Sequence, residues 1–456
     1  MTPAGYWIVR QGARALLSLF YHRVEVVGRE YIPAGGPIIV AANHHNSLVD
    51  PLLLLATVPR RLVTLANAPL FRHPLIGPFL RLVGALPVHR RQEAGTDPAR
   101  NDALFAAVTR TLAAGGGILI FPEGRTQPEP VLMTVRTGTA RMLLAAETGG
   151  GGRIDVTLLP VGLVFHEPGT FRTGSALVLV GPPVPTADCV GLHGAAPEAA
   201  VRQLTDRLAE ALRRQIVEAD DRETLRLLRV AEALWRDEHA HSPADEPARV
   251  AWMQEAMQLY RSLCEREPAR AAALRERVER YARDLERAGL GDSQLARSYP
   301  RGVVLRYALH EGVPLLFGLP LALCGIILHG VPYRLTGALV RRLHRTAEEE
   351  ATDKLAAGLI LYPLCWLAEA WLAWRLGAGR GLAVFVMALL PAGFFALAWQ
   401  ERLGRFRREA RALVHFLLDR DLRARLLARR RALAAELRAL VGHTPQSTRA
   451  ADARDP

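Results

Sequence analysis

The sequence is poor in several features that often reveal a protein's chemistry. Only four of its 456 residues are cysteine, and they are far apart in the chain: Cys189, Cys264, Cys324 and Cys365. This spacing argues against a metal site and favours a reducing compartment. No Gly-x-Ser-x-Gly elbow is present, so a serine hydrolase lacks its nucleophile. These absences leave chemistry by histidine and carboxylate side chains.

Lysine is also nearly absent, since Lys354 is the only one, yet the formal net charge is +13. The positive charge therefore comes from arginine. A basic balance favours nucleic acid, acidic lipid headgroups or phosphorylated substrates as partners. Zinc-finger spacing and regular basic–aromatic interleaving are missing, so we expect no nucleic acid. Half of the residues are hydrophobic, which favours a membrane partner.

Residues 23–190 alternate between short apolar runs and segments with helical spacing of apolar residues. This alternation predicts an α/β domain. The predicted strands lie at 24–27, 37–42, 62–65, 85–88, 118–121, 156–165 and 176–180.

A polar cluster follows the second predicted strand, from Asn43 to Asp50. His45 and Asp50 are five positions apart, which is about 140° on a continuous helix, so they meet only if the chain turns between them. Asn46-Ser47 can supply that turn. A carboxylate that holds one imidazole nitrogen leaves the other free to act as a base. The alternative is a capped helix start with incidental histidines.

A second cluster, Phe121-Pro122-Glu123-Gly124, follows another apolar strand. With both clusters, residues 20–190 resemble the PlsC-like glycerophosphate and lysophospholipid acyltransferases. Their H-x4-D motif is matched by His45 and Asp50, and their F-P-E-G motif by 121–124. Gly84 to Arg90 matches the strand and arginine of their second motif, and 158–162 the strand with an internal proline of their fourth.

The resemblance implies a mixed sheet flanked by helices, the glycerolipid acyltransferase fold. It implies His45 as the base and Asp50 as the residue that orients it. Arg90 is expected to bind the phosphate of the acceptor, because it matches the second-motif arginine, with its neighbours His89 and Arg91 as alternatives. The acyl donor is expected to be acyl-CoA or acyl carrier protein, used as a co-substrate, with no cofactor and no metal.

The resemblance also assigns the second cluster and its neighbours to acceptor binding. Glu123 and Gly124 are expected to shape the acceptor site, with Glu123 holding either a glycerol hydroxyl or an arginine. Arg125 and Arg136 are further candidates for substrate binding. Arg125 follows Gly124 directly, one position earlier than in many relatives, which weakens a phosphate role for it.

Two further departures from the family's pattern affect the positive charge near the site and the choice of the base. Asn67 stands where relatives often have lysine, and His44 places a second imidazole beside His45.

The rest of the chain predicts membrane attachment. Residues 1–22 predict an interfacial amphipathic helix, with packing on its own domain as the alternative. Residues 195–300 predict charged helices that act as a spacer or a cover. Beyond the membrane segments at 303–400, residues 401–441 predict a basic helix suited to anionic membrane lipids, and 442–456 a disordered tail.

Three apolar runs, 312–333, 355–374 and 381–399, approach the length of a membrane span. Arginines follow the first and the third run, so both flanks favour the cytoplasm. We therefore expect a hairpin of the last two runs, while the first run, with Pro314 and Pro320, re-enters the membrane or lies within it. The alternative is a buried hairpin of a soluble domain.

Membrane segments after the catalytic domain resemble the fungal-type glycerol-3-phosphate/dihydroxyacetone-phosphate acyltransferases and their bacterial relatives. The resemblance implies a membrane-bound O-acyltransferase of phospholipid biosynthesis that acylates glycerol 3-phosphate or dihydroxyacetone phosphate. It implies a bacterial inner membrane with the catalytic domain facing the cytoplasm. The alternative acceptor is lysophosphatidic acid or another lysophospholipid. Outside this class, the alternatives are a hydrolase that uses the His–Asp pair and a basic membrane scaffold with a decayed site.

Overall fold

A computed structural model describes most of the chain, and the residues it describes divide into two units. These residues are 3–72, 76–89, 98–126, 131–149, 154–166, 174–216, 224, 227–228, 230–232, 246–296, 301–343, 350–376, 382–418 and 420–441. The first unit comprises 1–221 with 345–356, and the second comprises 222–344 with 357–456. The predicted tail at 442–456 lies outside the described residues.

The first unit is built on a seven-stranded mixed sheet with the strand order β1-β7-β6-β2-β5-β3-β4. Adjacent strands are parallel except for β6 and β7, which are antiparallel. The predicted α/β fold with a mixed sheet is therefore confirmed. The strands are β1 (Arg23–Val27), β2 (Ile38–Ala42), β3 (Leu62–Asn67), β4 (Leu86–Val88), β5 (Gly117–Ile120), β6 (Thr157–His166) and β7 (Ser175–Val180).

Helices cover both faces of this sheet. Successive strand residues point to opposite sides, so an apolar strand places apolar side chains on both faces, and both must be covered. In β2, Ile38, Val40 and Ala42 join the core that includes α1 and α2, whereas Ile39 and Ala41 join the core that includes α4, α5 and α7. Burial on both sides explains why the strand is apolar throughout. The helices are α1 (Pro3–Phe20), α2 (Val49–Thr57), α3 (Ile76–Val83), α4 (Pro98–Ala113), α5 (Gly138–Thr148), α6 (Ala187–His193) and α7 (Pro197–Arg213).

Helix α7 belongs to the first unit, although the sequence analysis assigned it to the charged region that begins at 195. Its residues Leu204, Leu208 and Leu212 are buried in the core shared with α4 and α5. Just after the helix, the backbone of Gln215 lies so close to Gly162 of β6 that no Cβ would fit there. The many charged residues of α7 made its sequence look solvent-exposed, but its apolar stripe packs against the core of the sheet.

Helix α1 packs on its own unit through one face, which was the alternative interpretation. Leu17 is buried, and the Tyr6 hydroxyl donates to the Arg60 carbonyl oxygen. The opposite face exposes Trp7 and Ile8, at 60% and 63% of their surfaces. An interfacial role for that exposed face stays a prediction.

In the second unit, charged helices from both ends of the region pack together. The sequence analysis treated 195–300 and 401–441 as separate segments, but Tyr281 and Leu426 share one buried cluster. At its edge, the guanidinium of Arg430 binds the carboxylate of Asp292 with an N–O distance of 3.0 Å. These helices are α8 (Glu246–Arg266), α9 (Pro268–Ala288), α10 (Asp292–Ala296) and α14 (Arg420–Val441).

Within the described part of the chain, three helices are long and apolar enough to cross a membrane: α11 (Arg301–Leu343), α12 (Glu350–Arg375) and α13 (Leu382–Leu418). Helix α11 runs unbroken through its internal prolines, so the predicted re-entrant first run is instead one continuous helix. It lies antiparallel to α13, since Arg402 binds Glu311 while Leu389 accepts a hydrogen bond from His329. The antiparallel pair seen here is thus formed by the first and third runs.

Candidate functional site

The two polar clusters meet at one edge of the sheet because the strands that lead into them are parallel neighbours. The His44–Asp50 segment follows β2, and Phe121–Thr126 follows β5. Strand β4 runs in the same direction two strands further along, and His89 follows it. Carboxyl ends of parallel strands lie at a common edge, where α/β proteins place their ligands.

Asp50 is the centre of the site and is completely buried. Its Oδ2 accepts three hydrogen bonds: from His44 Nδ1 at 2.8 Å, from the backbone N–H of His45 at 2.7 Å and from that of Asn46 at 2.8 Å. The ring in contact with the carboxylate therefore belongs to His44. The sequence analysis paired the His45 ring with Asp50, but His45 reaches this oxygen through its backbone.

The local backbone explains the exchange of histidines. Ser47 has a positive φ of 26°, so the chain curls before α2 begins. Asp50 lies in the first turn of α2, where backbone N–H groups are free to bind a carboxylate. The curl brings the N–H groups of His45 and Asn46 onto Asp50, which orients these peptides and carries the preceding side chain, His44, alongside. Spacing along the chain does not show such a turn.

His44 is also fixed by the second cluster. Its ring stacks on Phe121, with centroids 4.1 Å apart and an angle of 18° between the planes. Its backbone N–H donates to Glu123 Oε1 at 2.8 Å. The predicted motif residues are thus brought together through His44.

Glu123 is 2% exposed and holds two loops in place. Besides the bond from His44, its Oε2 accepts from the Met133 backbone N–H at 3.0 Å. Burial raises the pKa of Glu123, and these two N–H groups oppose that shift. Both carboxylate oxygens are engaged by backbone. The sequence analysis expected a substrate hydroxyl or an arginine as the partner.

Asn43 is a structural residue of the site that the sequence analysis missed. Its side chain is buried and bonds both backbone groups of Leu163 in β6, donating to the carbonyl at 3.0 Å and accepting from the N–H at 2.6 Å. This pattern continues the strand pairing by one residue beyond β2. The available signal was an asparagine placed directly after a wholly apolar strand.

Of the three arginines that were predicted to bind substrate, the structure describes Arg125 and Arg136. Gly124 has a φ of 71°, and a Cβ there would lie 3.0 Å from Arg136 Nε, so the guanidinium packs against the glycine backbone. Arg136 is exposed beside the site. Arg125 is also exposed and donates from Nε to Met133 Sδ at 3.1 Å. Arg90 lies outside the described residues, and its role stays a prediction.

Comparisons with known proteins agree on a class of enzyme. Residues 23–164 match the family model described as Acyltransferase. An uncharacterized acyltransferase of Schizosaccharomyces pombe is 25% identical, with 64% of this chain and 55% of that protein covered. Glycerol-3-phosphate O-acyltransferase 2 of Saccharomyces cerevisiae is 26% identical, with 43% and 26% covered. The chain thus spans about half or less of the length of these relatives.

A solved structure is also similar to part of the chain. The crystal structure of the 1-acyl-sn-glycerophosphate (LPA) acyltransferase PlsC from Thermotoga maritima is 22% identical. The match covers 45% of this chain and 79% of that one, with a TM-score of 0.33.

Proposed function

On the premise that residues 23–164 are an acyltransferase domain, we propose that the protein is a membrane-bound O-acyltransferase of phospholipid biosynthesis. It transfers a fatty acyl chain from acyl-CoA or acyl carrier protein to glycerol 3-phosphate or dihydroxyacetone phosphate. The observation that carries the proposal is the buried Asp50 bonded to the His44 ring at 2.8 Å. An imidazole held in this way is suited to take a proton from a hydroxyl.

The mechanism follows from which nitrogen carries the proton. Because an ionised carboxylate only accepts hydrogen bonds, His44 Nδ1 carries the proton of the neutral ring and Nε2 is the base. Nε2 removes the proton of the acceptor hydroxyl. At the same time, the oxygen of that hydroxyl attacks the carbonyl carbon of the thioester. When the tetrahedral adduct collapses, the carbon–sulfur bond breaks and the thiolate leaves. The imidazolium returns the proton to the sulfur, which releases the ester and a free thiol.

The acceptor is proposed to be recognised by its phosphate. A phosphate pairs well with guanidinium groups. Arg90 follows the β4 end of the same sheet edge in sequence, and Arg136 lies against Gly124. The name of the Saccharomyces cerevisiae relative supports glycerol 3-phosphate as the acceptor. Lysophosphatidic acid remains the alternative, because it carries the same phosphate.

The proposal includes attachment to a bacterial inner membrane, with the catalytic domain on the cytoplasmic side. Three helices of suitable length and hydropathy support membrane attachment. The net charge of +13 supports contact with anionic lipids, which attract arginine-rich segments.

The proposed function is tested with purified full-length protein in detergent and labelled acyl-CoA or acyl carrier protein. Glycerol 3-phosphate, dihydroxyacetone phosphate, lysophosphatidic acid and unphosphorylated glycerol are offered as acceptors. We expect ester formation with a phosphorylated acceptor and none with glycerol. Preference for lysophosphatidic acid would select the alternative acceptor. Release of free fatty acid with every acceptor would indicate a hydrolase, and no reaction with any of them a decayed site.

The choice of base is tested by a matched pair of substitutions. His44→Ala should lower kcat by roughly 10²–10⁴-fold, the usual contribution of a general base. His45→Ala should keep most of the activity, because it retains the backbone N–H that bonds Asp50. Circular dichroism serves as the folding control for both variants. A larger loss from His45→Ala would restore the assignment made from motif spacing.

A further inference from the structure

The two oxygens of the Asp50 carboxylate differ in the number of hydrogen bonds that they accept. Oδ2 accepts three hydrogen bonds, whereas Oδ1 is buried and receives none from the residues that the structure describes. Asp50 has 0% of its surface exposed. Leaving a charged oxygen buried without a donor is costly, and native structures rarely do so.

Two buried donors of the same unit also have no partner among the described residues. One is the Tyr21 hydroxyl and the other is Asn46 Nδ2. Tyr21 is 1% exposed. Its ring is held by Phe20 and Phe165, with centroid distances of 5.1 Å and 5.9 Å. Burial, and after it the negative charge of Asp50, raises the pKa of Tyr21. Tyr21 also lies in the same buried cluster as Val49, the residue that precedes Asp50 in α2.

We propose that Tyr21 is a positioning residue whose hydroxyl donates to Asp50 Oδ1 in the working enzyme, with Asn46 Nδ2 as the second donor. This inference rests on the proposed function of the His44–Asp50 pair. A donor on Oδ1 fixes the plane of the carboxylate, so that Oδ2 stays aligned with His44 Nδ1. Tyr21 touches neither substrate nor reacting atoms, and it acts through Asp50 alone.

Stability and activity together distinguish this role from a hydroxyl that is simply unpaired. Removing an unpaired buried hydroxyl relieves a desolvation cost and leaves stability unchanged or higher. Removing a donor to a carboxylate has the opposite effect, because such bonds are among the stronger ones. Tyr21→Phe deletes the hydroxyl and keeps the ring between its aromatic neighbours.

The experiment uses Tyr21→Phe in the full-length protein. We expect kcat to fall about tenfold, the scale of one charge-assisted hydrogen bond, while KM for donor and acceptor changes by less than about twofold. The Tm should also fall. In an Asp50→Ala background, Tyr21→Phe should leave the Tm nearly unchanged, because the acceptor is gone. If Asp50→Ala does not fold, Asp50→Asn is used, and the Tm effect should shrink to less than half.

Tyr6→Phe is the matched control. Tyr6 is buried in α1, and its hydroxyl donates to the Arg60 carbonyl and accepts from the Leu62 N–H. This variant should lower the Tm and leave kcat unchanged. Tyr21→Phe with wild-type kcat, or with an unchanged or raised Tm, would overturn the proposal. So would an equal loss of Tm in both Asp50 backgrounds. If the wild type transfers no acyl group, the proposed function fails, while the Tm cycle still decides the contact.

Discussion

Carboxylates in the two units of the protein are held in different ways. In the first unit, Asp50, Glu123 and Glu147 are buried, and backbone N–H groups bond all three. In the second unit, the partly buried Asp292 pairs instead with the guanidinium of Arg430, which is 8% exposed. Backbone donors come from loops at strand and helix ends, whereas an arginine can reach from one helix to another.

The difference has a functional consequence. Backbone N–H groups hold Asp50, and the same carboxylate oxygen bonds the His44 ring. Asp292 bonds an arginine instead, and this ion pair joins α10 to α14. We infer that the first unit uses its buried carboxylates for the proposed chemistry and for loop geometry, and that the second unit uses Asp292 to join helices.

The largest expected effect comes from deleting the same charge in each unit. Asp50→Asn should lower kcat by roughly 10²-fold or more, because the imidazole loses the partner that orients it. Asp292→Asn should keep kcat and cost about 3 kcal/mol of stability, since it removes the charged group that pairs with the buried Arg430 guanidinium. Acyl-transfer assays and denaturant unfolding of both variants measure the two effects. The comparison breaks down if Asp292→Asn inactivates a folded protein.

A smaller effect is expected where α11 packs on α13. A Cβ at Gly325 would collide with the Ala392 carbonyl oxygen. Gly325→Ala should therefore destabilise the protein by about 1–3 kcal/mol, as overpacking usually does. Gly330→Ala is the control on the same helix, because nothing lies within 4 Å of its Cβ position. Thermal unfolding in lipid nanodiscs measures both variants, and equal Tm values would contradict the packing seen here.

The smallest effect is expected at a surface ion pair of the first unit. Hydrogen bonds from Arg207 hold the pKa of Asp188 at about 2. Because the folded-state pKa is depressed, the pair stabilises above the ordinary aspartate pKa of about 3.9 and loses this effect as the pH falls towards 2. Arg207→Ala should lower the Tm slightly at pH 6 and less at pH 3. Added salt should also reduce the difference, because exposed pairs are screened.

The α/β fold of residues 23–190 could be predicted from the sequence because its signals are local. Most of the seven strands are short apolar runs between polar turns, and the central strands β2 and β5 need such runs because they are buried throughout. The acyltransferase resemblance, carried by His45, Asp50 and Phe121 to Gly124, is confirmed for residues 23–164. The three apolar runs of the second half were likewise visible in the local composition, although Glu369 interrupts the second run.

Tertiary structure decided which residues of those segments meet. His44, and not His45, places its ring beside Asp50 because Ser47 has a positive φ. The number of residues between the histidine and the aspartate does not reveal this backbone torsion angle. The placement of α7 on the sheet depends on a leucine stripe that needs a partner face. The joining of α9 and α14 depends on contacts between residues more than a hundred positions apart. Local pattern therefore determined the elements and their class. The site also needed the turn at Ser47 and long-range packing, because only folding brings the His44 N–H to the buried Glu123, 79 positions away.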